Sequence, residues 1–250
     1  KIKSEKLNEI KTMGFRGEAL SSIVSVSDFI MRSNCRNDLE GHEISICSGN
    51  LKYIKPVNQK KGTYVNIKNL FFSTPARLKF LKSENYESLI IKRLIRKFAL
   101  VNFNTQFNFF IDKKKIINTS TIKSENLKSI FIHRVTEILG SEFIKNSVEI
   151  NEKSEEVTLS GLIGLPTYNY SNSNNQYIFV NDRIISDKKQ NTILKVAYRD
   201  LIQHTEHITN LKKHMVEQIR KKIPFASFNG MSDNLENSLY TVLSISFPKS

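Results

Sequence analysis

An α+β fold is what this sequence predicts, on three observations. Short alternating or β-branched runs recur along the chain, at 29–32, 42–47, 51–55, 63–67, 105–111, 147–150, 157–165 and 177–180. Two longer stretches, 84–101 and 127–139, instead carry apolar residues at helical spacing. Strands and helices are interleaved in both halves, as when helices cover one face of a mainly antiparallel sheet. At 250 residues the chain is long enough for one large or two ordinary domains, each with its own core.

In order, Ile2, Leu7, Ile10 and Met13 predict a short amphipathic helix leading into a turn that holds Gly14 and Gly17. Ala19, Leu20, Ile23 and Val24 give a second helical face, and the serines of 25–27 end it. The four runs between 29 and 67 are separated by polar segments and read as an antiparallel meander. Pro75 suits a helix start, with Thr74 or Ser73 placed to cap it. Along 84–101, Leu89, Ile90, Leu94, Ile95 and Phe98 form an apolar stripe, and Lys92, Arg93, Arg96 and Lys97 occupy the other face. A hairpin turning at 112–115 follows. The Ser-, Thr- and Asn-rich segment 118–125 then predicts a domain boundary, dividing the chain into 1–121 and 122–250. A helix over 127–139 is stopped by Gly140. The remainder reads as strands, an Asn- and Ser-rich loop at 168–176, a helix at 193–202 and a last strand at 239–247.

Charge narrows the partners. The chain carries a formal net charge of +14. Residues 1–120 hold 22 Lys and Arg against 10 Asp and Glu, whereas 121–250 hold 16 against 14. A basic first half fits nucleic acid, a nucleotide or an acidic partner, and equally a lysine-rich composition spread over solvated faces. No run of about 18 apolar residues is present, so no membrane segment is expected, and the charged start lacks an apolar signal region. Cys35 and Cys47 have no histidines at ligand spacing, which predicts reduced thiols, no zinc and a cytoplasmic location. The first residue is not Met, as expected of a fragment.

The stretch with the most chemistry in it is Gly14-Phe15-Arg16-Gly17-Glu18-Ala19-Leu20. Two glycines flanking an arginine, just ahead of a helix, bring backbone N–H groups and partial positive charge to one place, which suits phosphate. On spacing alone the stretch is equally a plain loop.

The string itself resembles a signature of the MutL mismatch-repair family, within the ATPase superfamily shared with gyrase, heat-shock chaperones and histidine kinases. Two further blocks match in order: Gly62-Thr63 through Thr74-Pro75-Ala76-Arg77 to Leu81, and Tyr177-Ile178-Phe179-Val180-Asn181-Asp182-Arg183. The resemblance implies the later part of a Bergerat-type (GHKL) ATPase α/β sandwich followed by a ribosomal-protein-like α+β domain. It implies that Gly14, Phe15, Arg16, Gly17, Glu18, Ala19 and Leu20 form an ATP lid holding the β- and γ-phosphates. Thr63 would lie near the adenine, and Lys1 loosely matches a lysine at the start of the lid. Arg77 and Lys79 are either phosphate-facing or solvent-facing.

Arg183, Lys188 and Lys189 become candidate DNA-backbone contacts. Lys188 falls where the family has an arginine, which keeps the charge and loses the bidentate fork. The family's Asn-Gly-Arg is here Asn181-Asp182-Arg183, so either the turn differs or strain is accepted. Relative to the family, about 203–237 reads as an insertion.

The family's hydrolytic glutamate and Mg²⁺-binding asparagine are expected before Lys1, and an activating lysine after Ser250. This stretch alone is therefore expected not to hydrolyse ATP, and Glu18 is poorly placed as a general base. The implied protein is an ATP-dependent repair switch that forms homodimers, engages double- and single-stranded DNA and meets a mismatch-recognition protein of the MutS type. A catalytically silent DNA-binding relative, or a type II topoisomerase ATPase subunit, are the other readings the residues leave open.

Overall fold

The computed structural model describes residues 14, 16–35, 40–153, 158–165, 167–170, 175–185, 238–239 and 241–246. The helices expected at 2–13 and 193–202, the insertion at 203–237, and Lys1, Phe15, Lys188 and Lys189 lie outside the described residues. The chain divides into two compact units, Lys1–Glu87 and Ser88–Ser250.

In the first unit, helix α1 (Ala19–Val24) runs into strand β1 (Asp28–Asn34), followed by β2 (Gly41–Cys47), β3 (Asn50–Val57) and β4 (Gly62–Lys68). All four strands pair antiparallel, but the order across the sheet is β3-β2-β1-β4, a Greek key rather than the expected meander. The return connection explains the correction. After β3 the chain crosses the end of β1 and β2, where Asn34 Nδ2 donates to the Gln59 carbonyl at 2.7 Å. A Cβ on Gly41 would lie 2.8 Å from Gln59 Cβ, so the crossing depends on glycine there. Phe29, nearly fully buried, shares one face with Met31, Ile44, Ile46, Val65 and Ile67. Successive residues of a strand point to opposite faces, so the alternate positions form a mainly polar face that also carries Ile30.

Serines close α1 by turning their hydroxyls onto its own carbonyls: Ser25 Oγ donates to Ser22 O at 2.9 Å and Ser27 Oγ to Ile23 O at 2.7 Å. The last carbonyl of α1 and two in the turn behind it are then taken by distant amides. Gly49 N–H donates to Val24 O at 3.0 Å, Ser48 N–H to Ser27 O at 3.0 Å, and Phe71 N–H to Val26 O at 2.7 Å. Phe71 reaches that position at φ 66, a left-handed conformation that a bulky side chain rarely adopts. Beyond it lies the single-turn helix α2 (Pro75–Leu78), with Pro75 in its first turn as expected. Thr74 is its N-cap residue but forms no side-chain cap; its hydroxyl donates instead to Phe71 O at 3.5 Å. The expected capping bond is thus diverted into the irregular turn.

The long helix α3 (Glu84–Val101) has the expected span. In the second unit it leads into the hairpin β5 (Asn108–Ile111) and β6 (Lys114–Asn118). Next come α4 (Leu127–Leu139), which Asn126 caps by accepting from the Lys128 and Ser129 amides, and the short α5 (Ser141–Lys145). A five-stranded sheet follows, in the order β11-β10-β13-β8-β7. Its strands are β7 (Ser147–Lys153), β8 (Thr158–Gly164), β10 (Gln176–Val180), β11 (Arg183–Ile185) and β13 (Thr241–Ser246), with β10 and β13 parallel. A separate two-residue ladder joins β9 (Asn169–Tyr170), inside the segment expected to be a loop, to β12 (Ser238–Leu239).

The two units part at 87/88, ahead of the boundary expected near 121. The reason is a shared core: Ala99 and Leu100 of α3 and Ile117 of β6 cluster with Val135, Ile138, Phe143, Leu162, Tyr177 and Phe179. Only the C-terminal part of α3 is buried. Leu89, Ile90 and Leu94 of its stripe are exposed, while Arg96 on the basic face lies close enough to Tyr177 to act on its hydroxyl.

Arg134, 1 % exposed, ties this core together. Its Nη1 donates to the carbonyls of Ala99 (2.7 Å) and Asn102 (3.3 Å), its Nη2 to those of Thr105 (2.8 Å) and Ser120 (3.0 Å), and its Nε to Glu137 Oε2 (3.2 Å). That matches the five N–H groups a guanidinium has. Burial works against ionising Glu137, but the Ser120 hydroxyl and amide, His133 and Arg134 outweigh it and hold the carboxyl below its ordinary value. A depressed carboxyl pKa stabilises the fold above the unfolded value, here 4.5, and that contribution is lost as pH falls through the folded one. Glu137→Gln should therefore lose less thermal stability than the unchanged protein between pH 5 and 3, as a pH series of melting curves would read.

Three hairpins turn on pairs of residues with positive φ: Ser48-Gly49 (47° and 81°), Asp112-Lys113 (46° and 66°) and Asn181-Asp182 (47° and 61°). The last answers the question posed by the sequence, because the turn is kept and aspartate adopts the left-handed conformation. Asp182→Gly should stabilise the protein by about 0.5–1 kcal/mol, raising Tm by roughly 1–4 °C in thermal denaturation.

Candidate nucleotide-binding turn

Gly14, Arg16, Gly17, Glu18, Ala19 and Leu20 all lie at the surface ahead of or within α1. Gly17 adopts φ 67, and nothing stands within 4 Å of where a Cβ would be on Gly17 or Gly14. The chain therefore enters α1 through a left-handed step that glycine takes without strain. Glu18 is the N-cap residue by backbone position and contributes no side-chain cap to the first turn. An exposed arginine, a glycine in the left-handed region and a helix start without a side-chain cap are together compatible with an anionic group. They fit a phosphate chain on that side. For a metal, the described residues contain no group of three or more His, Cys, Asp and Glu able to hold one.

Thr63 opens β4 opposite Ser33 of β1, on the same face as Val65 and Ile67. It pairs near the far end of β1 from the junction with α1, about 17 Å along the strand from Asp28. Arg77 and Lys79, at the end of α2, are exposed. Arg183 starts β11 opposite Val180, half-buried beside the Asn181-Asp182 turn. Lys188 and Lys189 lie outside the described residues, so of the three basic candidates Arg183 alone is placed.

A second arrangement escaped sequence reasoning, because it exists only once the strands are in register. Tyr64 of β4, Arg32 of β1, Glu43 of β2 and Lys55 of β3 form one row across the polar face of the first sheet. Glu43, 3 % exposed, accepts from Arg32, from the Tyr53 hydroxyl at 2.9 Å and from Lys55 at 3.4 Å. Arg32 first, then Tyr53, hold its carboxyl below the usual range. The Arg32 guanidinium lies 5.3 Å from the Tyr64 ring centroid and Lys55 Nζ lies 4.7 Å from that of Tyr53. The only sequence signal was an Arg and a Glu each lying inside a β run.

Comparison with known proteins agrees with this architecture. Residues 135–211 match the family described as DNA mismatch repair protein, C-terminal domain. Over 201 residues the chain is 37% identical to the DNA mismatch repair protein MutL of Agrobacterium fabrum, covering 80% of this chain and 32% of that protein. To the MutL of Rickettsia bellii it is 35% identical over 191 residues, covering 76% of this chain and 31% of that protein. The chain thus spans about a third of the length of these curated relatives. Among solved structures, the Aquifex aeolicus MutL ATPase domain complexed with ADP superposes with TM-score 0.63 at 24% identity, covering 99% of this chain and 76% of that one. The N-terminal domain of a DNA repair protein gives TM-score 0.65 at 16% identity, covering 96% of this chain and 67% of that one. At those identities the likeness is one of fold.

Proposed function

The chain belongs to the MutL family of DNA mismatch repair proteins, and from that premise we propose that it contributes the lid of an ATP-responsive switch acting on DNA. The observation that carries the reading is Gly17 at φ 67 within Gly14-Phe15-Arg16-Gly17-Glu18-Ala19-Leu20, at the entrance to α1. In this reading the backbone amides of that turn hold the terminal phosphates, Arg16 adds positive charge, and the Thr63 hydroxyl lies toward the base. Bound ATP supplies a triphosphate whose hydrolysis resets the switch. None of the described residues is assigned to magnesium.

An ordered lid favours pairing of two copies, and the pair presents Arg183, Lys188 and Lys189 to the DNA backbone and a surface to a mismatch-recognition protein of the MutS type. The basic first half supports an anionic partner without reading sequence. Among the described residues no helix is long and apolar enough to cross a membrane.

The test is nucleotide affinity. Gly17→Val places a β-branched residue in the left-handed region and should weaken binding of a fluorescent ATP analogue at least about tenfold. If the pair Gly14→Val and Gly17→Val bound ATP as tightly as the unchanged protein, the lid reading would fall.

A further inference from the structure

We propose that the polar face of the first sheet is a stacking surface for single-stranded DNA, distinct from the glycine turn and from Arg183. The inference goes beyond the switch reading and uses none of its residues. Tyr53 and Tyr64 are 39% and 43% exposed, and they sit on the two edge strands β3 and β4. Three interstrand steps put about 14 Å between those strands, room for a short run of bases.

The cations are already placed at the rings. Arg32 lies by Tyr64 and Lys55 by Tyr53, each within cation–π reach. Lys68, opposite Asp28, continues the charge along the same face, and Lys52 is close enough to Asp28 to act on its carboxyl. The main anion of the row, Glu43, is buried beneath with Arg32, Lys55 and the Tyr53 hydroxyl upon it. Besides the half-buried Asp28 and Ile30, the charged and aromatic groups that face outward are therefore two rings and their cations.

The apolar side chains Phe29, Met31, Ile44, Ile46, Val65 and Ile67 all take the opposite face. On the polar side Asn66 and Ser45 flank the half-buried Ile30, the one aliphatic residue of β1 there, and Asn66 Nδ2 donates to the Tyr64 hydroxyl at 3.1 Å. This is the composition of a wetted surface. Exposed rings interleaved with cations on an open sheet face match an unpaired strand, whose bases can lie on the rings while its phosphates meet the cations. Reading a duplex would need an element that enters a groove, which the face of a sheet does not offer. The surplus of positive charge in the first half complements such a partner.

The experiment measures fluorescence anisotropy of a labelled oligothymidylate with the protein and three paired variants. Tyr53→Leu with Tyr64→Leu should weaken binding about 100-fold, tenfold for each ring. Tyr53→Phe with Tyr64→Phe, which keeps the rings and removes the hydroxyls, should stay within about twofold. The chain contains no Trp, so quenching of tyrosine emission by the oligonucleotide is a direct second readout. Should the leucine pair misfold, bromodeoxyuridine crosslinking of the unchanged protein decides: crosslinks at Tyr53 or Tyr64 support the proposal, and crosslinks only elsewhere overturn it.

Unchanged affinity in the leucine pair also overturns it. A phenylalanine pair as weak as the leucine pair does the same, because the hydroxyl contact with Glu43 would then be the cause. If the leucine pair kept DNA but lost an acidic protein partner, the face would be a protein-docking surface and the proposal wrong. If instead Lys188→Ala with Lys189→Ala abolished binding while the leucine pair did not, the backbone contacts of the switch reading would stand and this surface would not.

Discussion

Arg134→Met should destabilise the second unit by about 3–5 kcal/mol in chemical denaturation, with Tm falling by roughly 6–20 °C. Methionine fills much of the same volume, so the loss is electrostatic rather than a cavity. The carbonyls of Ala99, Asn102, Thr105 and Ser120 lose their donor together, and Glu137 loses a cation. Buried acceptors left without donors each cost about 1–3 kcal/mol before relaxation. Burial already lowers the arginine's pKa, with Glu137 opposing that shift, so the site tolerates the charge only because it is fully hydrogen-bonded. Arg134→Lys should rescue little, since one ammonium cannot reach acceptors spread over a planar fork. A lysine variant as stable as the arginine would show that charge alone, not the fork, matters there.

Gly41→Ala should cost about 2–3 kcal/mol by overpacking. The added methyl would lie 2.8 Å from Gln59 Cβ, 3.1 Å from the Ser33 carbonyl and 3.3 Å from Asn34 Cβ. Two of those neighbours belong to β1 and the third to the crossing segment, so none can move without opening the end of the sheet. Combining Gly41→Ala with Gln59→Gly removes the tightest contact, and the pair should recover part of the loss. An additive double-mutant cycle would mean that the strain sits elsewhere.

How much of this was legible in the sequence depended on the range of the interactions. The helices α3 and α4 were legible to the residue, since the spacing of Leu94, Ile95 and Phe98 and the stop at Gly140 are local. The first four strands were legible as strands, and their order was not. Pairing β4 with β1 instead of β3 rests on Asn34 meeting Gln59 and on the missing side chain at Gly41, contacts between residues 18 or more positions apart. Arg134 did leave a trace, sitting four residues from both Ile130 and Ile138 within a buried stripe. A charge inside an apolar repeat is the signal that would have found it. Of the candidate site, the glycine turn was legible because glycine itself reports the left-handed backbone. The Arg32, Glu43 and Lys55 row was not, because adjacency across strands is decided by register. The left-handed Phe71 had no precursor in composition at all.

The fastening of α1 has a mechanical consequence. The Gly49 amide grips the Val24 carbonyl at its C-terminal end and the Phe71 and Ser48 amides hold Val26 and Ser27 just behind it, while its glycine entrance lies at the surface. A rod pinned at one end swings rather than slides. Six residues make an arm of about 9 Å, so a tilt of roughly 20° at the pin carries the entrance about 3 Å.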